Sequence, residues 1–549
     1  MTGSTCDAVV VGAGHNGLVA ATLLADAGWD VVVTEASASP GGAVRSAEST
    51  SPGFVTDQFS AFYPMTAASP VMQDLHLEDH GLRWAHAPIV LANVRRDGPA
   101  AVLHRDAART AADLDEHDDG DGERWLELHA QWDRFGDEML RALLSPFPPM
   151  RAATALGWAA RLQLWDLIRM TVLPVRTMGE QLFSGPLAPL LLAGNALHAD
   201  VTPESAPSAL LGWLLVGLAQ TVGFPVPEGG AGRLTDALVR RMESAGAVLR
   251  LADPAQRIHV QGGRATSVET VSGTIHARRA VLVACDAQIL FGRLLDPDDL
   301  PDSYVARMRH FQRAGSTVKV NYALSSEVPW TDERAHGAGT VHVADSVDEL
   351  TATSAQLASG RLPSRPFLLT GQMTTADPSR SPTGTESLWA YTHVPQDIRG
   401  DASDRIDVRG RLGGPALDAF VERMEDRLVE HAPELRSRII AREVQGPDDL
   451  ERANPSLIGG DISGGTTQLH QQLVFRPVPG LARPETPIGS LFLASSSAHP
   501  GGSVHGACGA NAARAALLHH RTRNWGRRGA AALGIGLPAA AAWSLRRRP

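Results

Sequence analysis

From Asp7 to Glu35 the chain reads DAVVVGAGHNGLVAATLLADAGWDVVVTE, and the parts of a dinucleotide-binding βαβ unit follow one another in it without a gap. A five-residue apolar run leads into Gly12-Ala-Gly14-His-Asn-Gly17, a helix of small residues extends to Ala27, and Gly28 closes it. A second apolar run, Trp29 to Thr34, ends on Glu35, twenty-three residues after Gly12 and near the usual spacing of about twenty. Each part has a mechanical job. Gly12 permits the tight turn, Gly14 lets backbone approach a pyrophosphate, and Gly17 lets helix and strand pack closely, with the helix N-terminus facing the phosphates. Glu35 is placed to hold a ribose 2′-hydroxyl. A carboxylate there repels a 2′-phosphate, so FAD or NAD is expected rather than NADP.

At 549 residues the chain exceeds one ordinary core, and two domains are expected. Its formal charge of −10 argues against a nucleic-acid partner, because phosphate binding needs clustered cations. Cys6, Cys285 and Cys508 lie far apart and form no CxxC, so neither a dithiol redox centre nor a zinc ribbon is readable. A strand beginning at residue 7 leaves no room for a signal sequence, and a reducing cytoplasm is expected. Gly529 to Leu545 is an uncharged segment flanked by Arg527-Arg528 and Arg546-Arg547-Arg548. It is short for a spanning helix and contains Pro538. Peripheral membrane contact is one reading of it, and a plain Ala/Gly tail is the other.

Between these ends the pattern changes twice. Asp113 to Glu123, DLDEHDDGDGE, looks superficially like a calcium loop, but its twelfth position falls on Leu126 when counted from Asp115, so a solvated loop is expected. Residues 150 to 227 carry Leu, Ala, Trp and Met at helical spacing, as a helical wall around a substrate cavity would. After Pro227 come the turn PEGGAG, a helix from Arg233 to Ala245, and a strand near Ala247 to Leu251. Three short runs follow, Arg257–Val260, Ala265–Val271 and Ala280–Ala284, which read as a β-meander. Gly229, Gly230 and Gly232 follow no evident strand and are not a second nucleotide fingerprint.

Two further segments carry a resemblance. Pro40-Gly41-Gly42-Ala-Val-Arg45 resembles the diglycine motif of two-dinucleotide-binding-domain flavoproteins, the amine oxidase and phytoene desaturase superfamily. The resemblance implies glycines beside the flavin diphosphate and a cation near it from Arg45. Ser490 to Leu518, SLFLASSSAHPGGSVHGACGANAARAALL, has the form strand, glycine turn, small-residue helix. Gly501, Gly502 and Gly506 permit close backbone approach there, and the helix N-terminus offers positive potential for a reduced flavin. Its AxHPGGxVxGAxGxNAA pattern, which includes Val504, is similar to the phytoene desaturase-like branch, as are Leu192 to His198 and PVPEGG. Similarity spans most of residues 5 to 520. It implies tightly bound FAD, and the missing cysteine pair excludes disulfide reduction.

The expected class is therefore α/β: a Rossmann-like FAD-binding domain with a β-meander, interleaved with a mixed α+β substrate domain. The first would comprise residues 1–65, 228–300 and 485–522, the second 66–227 and 301–484, with 523–549 as an Arg-flanked tail.

Among 50 basic side chains there is a single lysine, Lys319, in GSTVKVNYALSSEVPW. An apolar alternating segment is a costly place for a cation without a partner. Gly315, Ser316, Lys319 and Trp330 resemble the amine oxidase strand whose lysine is water-bridged to flavin N5, and Tyr322 departs from that register. Lysine's compact ammonium suits a water-holding role. A surface lysine left over in an Arg-rich chain is the plain alternative. His499 and His505 flank the glycine turn and read as hydrogen-bonded loop residues. His76 and His80 have helical spacing but no third ligand, so no metal site is expected.

The chemistry expected is that of an FAD-dependent oxidoreductase taking a hydride from a largely apolar small molecule, with Lys319 as catalytic residue and oxygen, quinone or NAD(P) as acceptor. A polyene desaturase or isomerase, an amine oxidase, and a flavin-binding regulatory protein are the alternatives.

Overall fold

The computed structural model describes residues 4–150, 154, 157, 164–480 and 483–532. Two seven-stranded sheets organise them.

The first sheet grows around Ser4–Val11, whose Ala8, Val9 and Val10 are fully buried. A parallel strand covered on both faces needs such a continuous apolar run. Val31–Thr34 lies parallel to it on one side, followed by Val248–Arg250. Gly273–Val283 lies parallel on the other, and Leu491–Leu493 joins beyond its C-terminal half. The N-terminal half of Gly273–Val283 turns back antiparallel onto Arg264–Thr270, which pairs with Ala255–Gln261. The meander is thus present, but its third strand begins at Gly273 and not Ala280, because one long strand serves both sub-sheets. Helices His15–Asp26, Gly232–Ser244 and Ala507–Ala532 contribute one apolar layer. The meander and Leu290, Phe291 and Tyr304 form the other.

The second sheet runs in the order Ile439–Gln445, Ser316–Leu324, Glu386–Val394, Leu368–Gln372, Ala338–Val343, Ile89–Val94, Ala101–Leu103. Alternation divides it sharply. Val318, Val320, Tyr322, Leu388, Ala390, Val341 and Val343 point to one side and pack on the helix Gly414–Val429. Register puts Thr317, Lys319 and Asn321 opposite His393, Tyr391 and Trp389 on the other side, with Glu443 opposite Asn321. His342 and Asn93 extend the same face two and three strands beyond Tyr391. A buried sheet face this polar is unusual.

The helical stretch forms as expected, with Leu164–Met170, Val175–Leu182, Leu187–His198 and Ser208–Thr221. The last two have mainly apolar, buried residues, so they are buried nearly all round. Two local expectations are corrected. Asp113–Glu123 is not a solvated loop: it ends the helix Ala107–Asp115 and starts the helix Asp121–Leu144. Asp115 accepts the Gly120 and Gly122 N–H groups, and buried Asp121 accepts those of Ser184 and Gly185. PEGGAG does follow a strand, the two-residue Val226–Pro227 paired with Trp84–Ala85. Its amides are already engaged: Asp377 takes Gly229 N–H, Asp57 takes Ala231 N–H, and Ser46 takes Gly232 N–H.

Residues 523–532 continue the last helix and do not begin a separate tail. The remainder of the uncharged segment, 533–545, lies outside the described residues. Among the described residues no helix is long and apolar enough to cross a membrane.

Candidate functional site

At the end of the first strand Gly12 adopts φ +97°, which favours glycine, and the helix from His15 begins three residues later. A Cβ on Gly17 would lie 2.0 Å from the Gly12 carbonyl oxygen, so only glycine lets this helix sit so close to the turn. A Cβ on Gly14 would meet nothing nearer than Gly42 Cα at 4.0 Å. The helix N-terminus has no side-chain cap and no acid in its first turn. Unfilled amides and the positive end of a helix dipole therefore face outward together. Glu35 reaches back to this turn: Oε2 accepts the Ala13 N–H at 2.7 Å and Oε1 the Ser37 N–H at 2.9 Å. Each oxygen keeps a lone pair for another donor.

Gly41 and Gly42 pass beneath Gly14, with the Gly41 N–H on the Ala13 carbonyl at 2.9 Å. Arg45 then lies over the Phe59 ring at 5.2 Å and donates to the Ala453 carbonyl at 2.7 Å, while its buried Nε has no partner. Burial pushes this guanidinium down in pKa, and the Glu35 carboxylate opposes the shift.

The C-terminal return meets the same place from the other side. A Cβ on Gly509 would lie 1.9 Å from the Asn16 carbonyl, and Asn16 Oδ1 accepts the Gly509 N–H at 3.3 Å. This contact sets two helices side by side, both leaving the C-terminal ends of parallel strands, so their positive ends converge. Thr66 donates to the Val504 carbonyl and Ser69 to that of His505, at 2.7 Å in the second case. His505 is buried and its Nδ1 accepts the Ala507 N–H at 3.0 Å. Beside it His15 keeps an unpartnered Nε2, and burial lowers the two imidazoles to about 4 for His15 and about 3 for His505. His499 is a hydrogen-bonded loop residue, facing the Ser145 carbonyl at 3.1 Å.

Two of the turn glycines serve the protein's own packing. A Cβ on Gly502 would stand 2.8 Å from the Ser463 carbonyl, and one on Gly506 would stand 3.0 Å from Val19. The 463–466 loop is itself held by Arg476, fully buried among the carbonyls of Gly464, Thr466 and Ser496 at 2.6–2.9 Å.

Lys319 is 4% exposed and is not a surface lysine. Its ammonium donates to the Asp57 carbonyl and, at 3.3 Å, to that of Phe59, and stands 6.0 Å from the Trp389 ring centroid. Burial lowers it to about 8, with Asp57 and Glu443 opposing. Asp57 is a hub: its carboxylate also takes Ser46 and Ala231 and pairs with fully buried Arg380 at 2.8 Å. Tyr322, three residues on, points to the opposite sheet face, where burial and Glu425 raise its pKa. Side chains alternate along a strand, so Lys319 and Tyr322 cannot share a site. The aromatic residues beside Lys319 are Trp389 and Tyr391, with ring centroids 5.7 Å apart.

Further along this face lies a knot of imidazoles. His198 stands 5.9 Å from His342 and 6.3 Å from Tyr391, and Tyr391 stands 5.7 Å from His393. His198 Nδ1 and both ring nitrogens of His342 and His393 have no partner within the protein. Left dry, five such atoms would cost on the order of 5–15 kcal/mol, comparable to the whole stability of a domain. Something polar must meet them.

The flavin containing amine oxidoreductase family matches residues 17–406, more than half of the chain. The chain belongs to this family. It is 27% identical to the pyridine nucleotide-disulfide oxidoreductase domain-containing protein 2 of Rattus norvegicus, over 92% of each chain. It is 23% identical to a limonene dehydrogenase subunit of Castellaniella defragrans, over 93% of this chain and 94% of that one. Its fold is that of an oxidoreductase from Methanosarcina mazei, with a TM-score of 0.61 at 14% identity, covering 93% of this chain and 99% of that chain. The protein is an FAD-dependent oxidoreductase.

As a flavoprotein it has residues that fit FAD. The open side of Gly14, the orphaned Arg45 Nε and the converging helix ends suit a diphosphate, and the free lone pairs of Glu35 suit a ribose. The fold gathers Gly12, Gly14, Gly17, Glu35, Gly41, Gly42 and Arg45 at one end, with Val504 and Gly506 beside them through the Gly509 contact. Lys319 lies on the second sheet, joined to the first group by the segment from Gly41 to Phe59. Sequence reasoning missed His15, Asp57, Trp389 and Tyr391. The alternating Trp389, Tyr391 and His393 in ESLWAYTHV was the available signal for the last two. Among the described residues no group of three or more His, Cys, Asp or Glu could hold a metal.

Proposed function

We propose that this flavoprotein is a dehydrogenase or desaturase that takes a hydride from a largely apolar organic substrate. Bound FAD supplies the hydride acceptor, and the chain's residues supply binding, orientation and electrostatics. Glu35 and the Gly12–Gly17 turn hold the adenosine end, and Arg45 holds the diphosphate. Lys319 holds a water or proton at the redox end, with oxygen, quinone or NAD(P)+ as final acceptor. The observation that carries this reading is the buried ammonium of Lys319 on the same sheet face as Trp389, beneath the apolar helices Leu187–His198 and Ser208–Thr221. Held by the Asp57 and Phe59 carbonyls, this ammonium keeps a fixed place, and a perturbed, positioned titratable group of that kind is a functional-site candidate. The relative named for limonene dehydrogenation and the desaturase-like motifs favour hydrocarbon-rich substrates.

A second reading, oxidation of an amine, draws on the Trp389–Tyr391 ring pair. Their planes are inclined by 31°, short of the parallel walls that would sandwich an amine.

The test is anaerobic bleaching of the purified holoenzyme by polyenes, monoterpenes, amines and NADPH. Bleaching by the hydrocarbons is expected. Bleaching by amines alone would transfer the assignment to amine oxidation, and a protein that takes up no FAD would overturn it.

A further inference from the structure

The imidazole knot on the second sheet is unused by the reading above. His342 is fully buried and His393 is 6% exposed, and neither ring makes a hydrogen bond within the protein. Gly194 makes room for the first: a Cβ there would lie 2.8 Å from His342 Nδ1 and 3.5 Å from Asn93 Oδ1, which is likewise unpartnered. His198 and Tyr391 are only partly buried, so their rings keep accessible surface beside the two buried imidazoles. Tyr391 sits directly across the strand pair from Lys319, and His393 opposite Thr317, so the cluster continues the Lys319 face of the sheet.

We propose that His198, His342, His393 and Tyr391 form a recognition subsite for an uncharged oxygen function, a hydroxyl or carbonyl, carried by an otherwise apolar substrate. The inference rests on the dehydrogenase reading and names its substrate class. Neutral imidazoles offer one donor and one acceptor each, and the phenol offers both, which matches a hydroxyl or a carbonyl. Burial lowers His198 to about 4, holds His342 well below the usual imidazole range, and raises the Tyr391 phenol, so these three groups are uncharged at neutral pH. Asp200, facing the Gly315 N–H and within electrostatic reach of His393 and Asp461, is raised by the same burial. Phe367, 5.2 Å from His342, and Trp389 supply apolar walls. A site built to hydrogen-bond an oxygen rejects the analogue that lacks it, because its own polar groups are then left unpaired.

Dissociation constants of octan-1-ol, octanal, n-octane and octylamine for the holoenzyme, read by flavin absorbance and by tryptophan fluorescence, test this. The alcohol and aldehyde are expected to bind at least about tenfold tighter than the alkane. In His393→Phe and His342→Phe the gap should fall below about threefold, with FAD content unchanged, and His393→Gln should restore part of it. Equal binding of octane and octanol by the wild-type protein would mean that the pocket holds only water. An undiminished gap in a folded variant would also overturn the proposal, as would tightest binding of octylamine, which would mark a cation site on Asp200. The fluorescence arm needs no flavin chemistry, so loss of the dehydrogenase reading and loss of this subsite are separable.

Discussion

Lys319 and Asp57 join the two sheets: the ammonium on the second sheet donates to the Asp57 carbonyl, while the Asp57 carboxylate takes the N–H of Ala231 at the start of a first-sheet helix. The glycine-rich turns of the first sheet and the Lys319 face of the second are thereby tied through one residue, Asp57.

Lys319→Met should retain FAD and slow flavin reduction or reoxidation by about tenfold or more, since a positioned proton carrier contributes roughly 10²–10⁴-fold. Stability provides an independent readout. The folded pKa, about 8, lies below the unfolded 10.5, so the unfolded chain binds the extra proton between them. Stability of the wild-type protein should therefore rise with pH across that window, by up to about 3 kcal/mol relative to the variant. Urea midpoints at pH 7.5, 9 and 10.5 check this, and parallel curves would refute the buried-ammonium account.

Glu35→Gln keeps the side chain's size and removes its charge. The bonds to Ala13 and Ser37 weaken, as does any bond to a ribose. FAD affinity should fall by about 1.5–3 kcal/mol, roughly 10- to 150-fold. Equilibrium dialysis against FAD measures it.

Gly17→Ala and Gly28→Ala separate close approach from backbone freedom. The new methyl at 17 would stand 2.0 Å from a carbonyl oxygen of the turn, while at 28, with φ +79°, it meets nothing within 4 Å. Loss of folding or of FAD is expected for Gly17→Ala, at more than about 4 kcal/mol. Gly28→Ala should cost only about 1 kcal/mol. Thermal unfolding of the two proteins would show the contrast.

His15 and His505 make the protein acid-sensitive. Both are held neutral by burial, to about 4 and about 3 against an unfolded value of 6.5. Their contribution to stability is present above pH 6.5 and is lost as pH falls through those folded values, at up to about 1.4 kcal/mol per pH unit each. His505→Asn should flatten the fall of Tm between pH 6.5 and 4.5. An unchanged slope would show that His505 already carries its proton in the fold.

The local grammar of this chain was written in its residues. Strand, glycine turn, small-residue helix and acid sit within Asp7–Glu35, a span short enough for spacing to specify geometry, and the structure forms them within a few residues of expectation. The helices between Leu164 and Thr221 were legible for the same reason. What spacing could not specify was which distant strands would lie in register. Trp389 and Tyr391 meet Lys319 only because two antiparallel strands pair at Lys319↔Tyr391, some 70 residues apart in the chain. Period-two alternation announces that a strand has two faces, but which face is sealed by apolar packing depends on the layers packed against each. The tertiary structure made that choice by covering Val318, Val320 and Tyr322 with the helix Gly414–Val429, which turns the polar face toward the helices Leu187–His198 and Ser208–Thr221.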